Sequence, residues 1–205
     1  MTQNKLSTDE GHEHATDDRS SHAHRHWIDA LMHRWPTALG IAVAALAAFD
    51  LQGGTELAAL TMLMPVVYLG SAALDRRWSA WVLLLSGVAV LVVMPSISEV
   101  VSSMIFLVAA LVFIIVGVAR GQLRKPGGLA LQTVGVLAFG STVLVALYAD
   151  PELGGYLVAL ALIGHAAWDA YHYLQDRVVA RSYAEWCAVV DLLLAAAVIF
   201  ALFMR

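Results

Sequence analysis

The sequence predicts an all-α integral membrane protein: a seven-transmembrane-helix bundle preceded by a disordered, His-rich amino-terminal tail and a short interfacial amphipathic helix. Of its 205 residues 60% are hydrophobic and 14% charged, where soluble domains carry about 45–50% and about 25%. The apolar residues gather in seven blocks bounded by charged or turn residues. Lys and Arg recur in every second connecting segment, as they do when loops alternate across a bilayer.

Residues 1–25 are rich in Ser, Thr, Asp, Glu and His and hold too few large apolar groups to offset chain ordering, which predicts a disordered cytoplasmic tail. They contain no apolar h-region, so a secretory signal peptide is not expected there. Residues 26–35 change pattern: Trp27, Ile28, Leu31, Met32 and Trp35 recur at helical spacing while Arg25, Asp29, His33 and Arg34 take the other side. That pattern predicts an amphipathic helix lying in the interface.

The seven blocks, at about residues 35–51, 57–74, 78–94, 100–119, 129–148, 153–174 and 184–204, make up the membrane domain, 35–205. Most approach the roughly 20 residues that a helix needs to cross hydrocarbon. The first and third are shorter, near 17 residues, where Gly53-Gly54 and Pro95 mark helix ends. Gly40, Gly70, Gly87, Gly117, Gly135, Gly140, Gly154, Gly155 and Gly164 are expected to allow close helix approach. Pro65 is expected to kink the second block.

An inside amino terminus places Lys5, Arg19, Arg25, Arg34, Arg76, Arg77, Arg120, Arg124, Lys125, Arg177 and Arg181 on the cytoplasmic side, eleven of the twelve basic residues. Only Arg205 falls outside. The six tryptophans, Trp27, Trp35, Trp78, Trp81, Trp168 and Trp186, lie toward the same side, where indoles anchor at headgroups. Seven spans in the cell membrane, amino terminus in and carboxyl terminus out, follow. The loops are too short for a soluble domain.

The lipid bilayer is the partner this composition implies. Net charge of −4, of which residues 1–30 supply −3, leaves no basic surface for nucleic acid. A single cysteine, Cys187, excludes an intramolecular disulfide and a four-thiolate metal site. Homo- or hetero-oligomeric assembly stays open. The seventh block has no Lys for a Schiff base, which excludes a retinal protein.

Function is expected where ionisable groups enter hydrocarbon, because each costs about 2.5–3.5 kcal/mol at a helix centre and needs a partner or a role. Five do so: His165, Asp169 and His172 in the sixth block and Glu185 and Asp191 in the seventh. At about 100° per residue, His165, Asp169 and His172 share an arc of about 60°. His165 and Asp191 lie roughly 13 Å and 10 Å above the inner ends of their blocks, so the two meet across an antiparallel pair. Cys187 shares the face of Asp191 and comes level with Asp169; Glu185, about 240° away, faces elsewhere. Gln132 and Thr133 enter the fifth block from the inner side and are candidates to line a polar vestibule.

Three readings of the stripe stay open: a structural hydrogen-bonded pair, a proton, cation or solute site, and a metal site. For the second, His165, Asp169 and Asp191 carry charge and His172 forms the inner mouth. For the third, a divalent transition metal takes one of His165 and His172, with Asp169 and a ligand from Asp191 or Cys187, because the two histidines are about 10 Å apart along the axis. The tail adds His12-x-His14 and His22-x-His24-x-His26, whose alternate side chains project together in an extended chain and suit loose Zn, Ni or Cu binding.

Seven spans with a His and Asp cluster resemble the intramembrane metal-dependent hydrolases that include alkaline ceramidases and the progestin and adiponectin receptor group. The resemblance implies a metal-bound water acting on a lipid-like substrate. Those enzymes use three histidines, an aspartate and a serine, with a close histidine pair on one helix. This chain offers His165 and His172, seven apart, with Asp169 or Asp191 and no matching serine. Binding or translocation of a proton, cation or small solute is therefore expected ahead of catalysis, with a structural subunit of a membrane complex as the remaining alternative.

Overall fold

The computed structural model describes residues 34–49, 51–93 and 98–204. The tail with His12, His14, His22, His24 and His26, and all but the end of the expected interfacial helix, lie outside the described residues.

Seven α-helices, one per apolar block, run through the described residues: α1 (Trp35–Ala48), α2 (Ala58–Leu74), α3 (Ser79–Val93), α4 (Glu99–Ala119), α5 (Leu129–Tyr148), α6 (Pro151–Gln175) and α7 (Arg181–Phe203). Short 3₁₀ turns, Thr55–Leu57 and Gln122–Arg124, precede α2 and α5. There is no strand among the described residues. Five helices, α2 with its lead-in turn and α4 to α7, are long and apolar enough to cross a membrane, which marks the chain as a membrane protein. The other two, α1 and α3, are apolar but have 14 and 15 residues. At 1.5 Å per residue they extend about 21–23 Å, short of the roughly 30 Å hydrocarbon layer.

Local chemistry sets the ends. Asp150 caps α6 by accepting from the Leu153 amide at 3.0 Å, with Pro151 at the first helical position. Ser98 caps α4 in the same way. At the other ends, α2 and α6 both stop on an aspartate in the left-handed conformation, Asp75 and Asp176. Asp tolerates that backbone better than a branched residue because its short polar side chain bonds locally. Gly54, at φ 96°, turns the chain from α1 into α2.

The bundle is organised around α2. Fifteen of its 17 residues are buried, Pro65 and Tyr68 among them. Around it stand α3, α4, α5 and α6, while α7 lies along α6 and α1 lies along α7. By contrast α4 turns large residues such as Val108, Leu111 and Ile115 outward, as a helix bordered by lipid does.

The connections after α2, α4 and α6 converge on one end of the bundle. Lys125 pairs with Asp75, Arg77 with Asp176 at 3.1 Å, and the Ala180 amide donates to the Arg77 carbonyl. This end also gathers Trp35, Trp81, Tyr183 and Trp186, whose rings pack at centroid distances of 5.5–6.0 Å. At the opposite end the Ala59 amide donates to Glu99. There α6 approaches the α1–α2 turn so closely that a Cβ on Gly155 would lie 2.2 Å from the Gly53 carbonyl oxygen.

Candidate functional site

The long α6–α7 contact brings the polar stripe of α6 against α7 in the interior. His165 Nδ1 lies 2.8 Å from Asp191 Oδ2 and 3.3 Å from Asp169 Oδ2. Antiparallel packing about a short connection makes the first contact, and the i, i+4 spacing of one helix face makes the second. Cys187, one turn before Asp191, completes the group. One donor atom from each of His165, Asp169, Cys187 and Asp191 lies within 4.8 Å of the others. All four residues are at most 1% exposed.

The central helix supplies a fifth member. Tyr68 of α2 donates its hydroxyl to Asp169 Oδ1 at 2.6 Å. Its ring stands edge-on to His165 and Tyr183 and against His172. Nothing in the sequence reading pointed to Tyr68. The available signal is weak: Thr61 and Tyr68 fall within about 20° of each other on a helix whose other residues are mostly apolar. Phe139 of α5 closes the side, its ring 5.2 Å from that of His165.

His172 stands apart from the quartet. Its Nδ1 faces the Trp168 carbonyl at 2.8 Å and its Nε2 faces the Gln132 side-chain nitrogen at 2.8 Å. Gln132 Nε2 also donates to the Gly127 carbonyl, and its oxygen accepts from the Trp168 indole. Those contacts orient the amide with its nitrogen toward His172, so the imidazole is neutral, with its proton on Nδ1 donated to Trp168. Both ring nitrogens are occupied and His172 is 2% exposed. It is sealed within α5 and α6 rather than opening to water as an inner mouth. Gln132 is engaged in this network, and Thr133 bonds back to the Leu129 carbonyl. Glu185 points away from the site and accepts from Thr37 of α1.

Three buried atoms of the centre have no hydrogen-bond partner among the described residues: His165 Nε2, Asp169 Oδ2 and Asp191 Oδ1. Two carboxylates share one imidazole, so with His165 charged and both acids ionised the centre still carries one uncompensated negative charge. An unpaired charge away from water costs several kcal/mol. The centre therefore needs one more positive charge, brought by a proton or by a metal ion.

The donor set fits a metal chemically. Imidazole, thiolate and two carboxylates suit Zn²⁺ and neighbouring divalent ions, and tetrahedral bonds of about 2.0–2.3 Å separate donors by about 3.3–3.8 Å. The quartet reaches that spacing by a contraction of about an ångström.

Polar groups in contact with the centre continue toward the end where the connections converge. Tyr68 leads to the His172 ring, and His172 through Gln132 to Gly127 in the α4–α5 connection. In the other direction Val158, Leu162, Leu194 and Val198 close the interior with apolar side chains.

Tyr68→Phe is expected to destabilise the folded chain by about 0.6–1.7 kcal/mol, the range for hydrogen bonds between membrane helices. Denaturant titration in mixed micelles measures it. A loss below about 0.5 kcal/mol would mean that Asp169 has no need of this donor.

The chain matches no family model, no curated protein and no solved structure.

Proposed function

We propose that this chain is a seven-span protein of a cytoplasmic-type membrane, amino terminus inside, that binds a cation at the His165–Asp169–Asp191 centre. The cation is in the first place a proton, exchanged with the cytoplasmic side. The observation that carries the reading is the shared imidazole: two fully buried carboxylates lie at 2.8 and 3.3 Å from one His165 nitrogen. Such a centre changes its charge by taking up or releasing a single cation.

The direction of exchange rests on the placement of buried polar side chains: Tyr68, His172 and Gln132 follow one another from the centre toward the α4–α5 connection, the Tyr68–His172 step being a ring contact and not a hydrogen bond. The sidedness rests on Arg76, Arg77, Arg120, Arg124, Lys125 and Arg177 in the three connections at that end, with Arg181 at the start of α7. In this reading α1 and α3 also span, with the bilayer thinning locally or flanking residues snorkelling around their short lengths.

A second reading, a metal-dependent membrane enzyme, is favoured by one observation, the four donor atoms within 4.8 Å of one another. Bound there, a divalent ion would supply Lewis-acid activation of water. The chain's own residues would lose protons from Cys187 and from the His165 nitrogen that ligates it. The tail histidines His12, His14, His22, His24 and His26 would then serve to collect the ion.

Full-length protein in liposomes with an internal pH dye separates the two. Under an imposed membrane potential, a flux of protons abolished by Asp191→Asn and retained by Cys187→Ser is the expected result. Elemental analysis of detergent-purified protein tests the rival: stoichiometric metal that survives replacement of all five tail histidines, but is lost in Asp169→Ala, would establish the metal reading. Absence of flux, of proton uptake in detergent and of metal, from protein that is folded, would overturn both.

A further inference from the structure

At the end where the connections converge, a vestibule of about 430 Å³ opens between α2, the α4–α5 connection and the α6–α7 connection. Arg76, Arg77, Lys125 and Arg177 line it against a single carboxylate, Asp75. Lys125 is engaged by Asp75 and Arg77 by Asp176, which Arg181 also approaches. Among the described residues neither Arg76 nor Arg177 pairs with a carboxylate. Positive charge is therefore left over in the vestibule.

Two further features face the same space. Gly128, the residue that precedes the 20-residue helix α5, lines it, and among the described residues no side chain caps that helix; an uncapped helix start favours an anion. Gln122 also lines the vestibule, is 7% exposed, and its Oε1 has no hydrogen-bond partner among the described residues. A buried acceptor without a partner is costly and calls for a donor. That oxygen accepts, so it suits a hydroxyl carried by the ligand. Ser71, buried at the floor, adds a hydroxyl.

We propose that this vestibule binds a phosphate group, held by Arg76 and Arg177 beside the uncapped start of α5, with Gln122 Oε1 accepting from a hydroxyl of the phosphate or its headgroup. Guanidinium forks match phosphate oxygens in pairs, which a lysine cannot do. The phosphate can come from an anionic phospholipid headgroup, since the site lies where the bundle meets the interface, or from free phosphate in solution. This site shares no residue with the His165 centre and stands or falls separately from it.

The test uses the full chain in nonionic detergent, followed by its melting temperature. Inorganic phosphate, dihexanoyl phosphatidylglycerol and dihexanoyl phosphatidylcholine are titrated in turn. Saturable stabilisation is expected, with the half-saturating concentration raised by about tenfold or more in Arg76→Ala/Arg177→Ala and by about threefold in Gln122→Ala. Arg76→Lys/Arg177→Lys, which keeps the charge, controls for folding and is expected to fall between. A response to phosphatidylglycerol alone assigns the site to lipid, and a comparable response to inorganic phosphate assigns it to a soluble ligand. The proposal is overturned if neither probe saturates, if the Arg76/Arg177 and Gln122 variants bind like the parent, or if Arg120→Ala/Arg124→Ala weakens binding equally.

Discussion

His165→Ala is expected to lower the stability of the folded chain by about 3–5 kcal/mol, far more than Asp191→Asn. Among the described residues the imidazole is the one basic group in contact with Asp169 and Asp191, at 3.3 and 2.8 Å. Without it, two carboxylates face each other in a space that excludes water. Asp191→Asn has the opposite character: it removes the surplus negative charge and leaves an amide that His165 can still meet. Unfolding by SDS in mixed micelles gives both numbers. The double variant His165→Ala/Asp191→Asn should recover part of the loss, because one ionised acid fewer is left unpaired. Equal losses for the two single variants would mean that the three groups do not share a charge balance, and the proposed cation centre would go with it.

Gly155→Ala is the second large effect, toward the upper end of the about 1–3 kcal/mol that overpacking costs. Its added methyl carbon would sit 2.2 Å from the Gly53 carbonyl oxygen, and a backbone atom in a turn cannot step aside alone. Relief requires α6 to move away from the α1–α2 turn. Gly87→Ala is the matched control. There the new carbon meets a Leu63 Cδ1 at 2.3 Å, the end of a side chain that can rotate, so a loss below about 1 kcal/mol is expected. Comparable unfolding midpoints for the two variants would show that the α6 approach is not fixed by backbone contact.

Much of the architecture was legible because membrane helices are long, apolar and punctuated. Each predicted block became one helix, and the block at 129–148 coincides with α5. The last two helices run longer than their blocks, 25 and 23 residues. Hydrophobicity stops at the first polar residue, whereas hydrogen bonding carries the helix on to its cap, as at Asp150 and Pro151. The two blocks singled out as short are the two helices that fall below spanning length.

Part of the site could be read as well, because the His165–Asp191 contact follows from register along an antiparallel pair with a short connection. Tyr68 could not, since it reaches Asp169 from a helix separated by 101 residues, and no periodicity reports which helix occupies the centre. The same gap explains His172. Its depth suggested contact with water, but Gln132 arrives from α5 and occupies its free nitrogen.

The central position of α2 bears on how the protein is made. Its buried hydroxyl waits for an acceptor encoded 101 residues later, and ribosomes add roughly 5–20 residues per second. For roughly 5–20 s the newly inserted segment carries Tyr68 with its acceptor unmade. The acceptor thus arrives last, after α3, α4 and α5, the helices that supply most of the packing around α2, have been made.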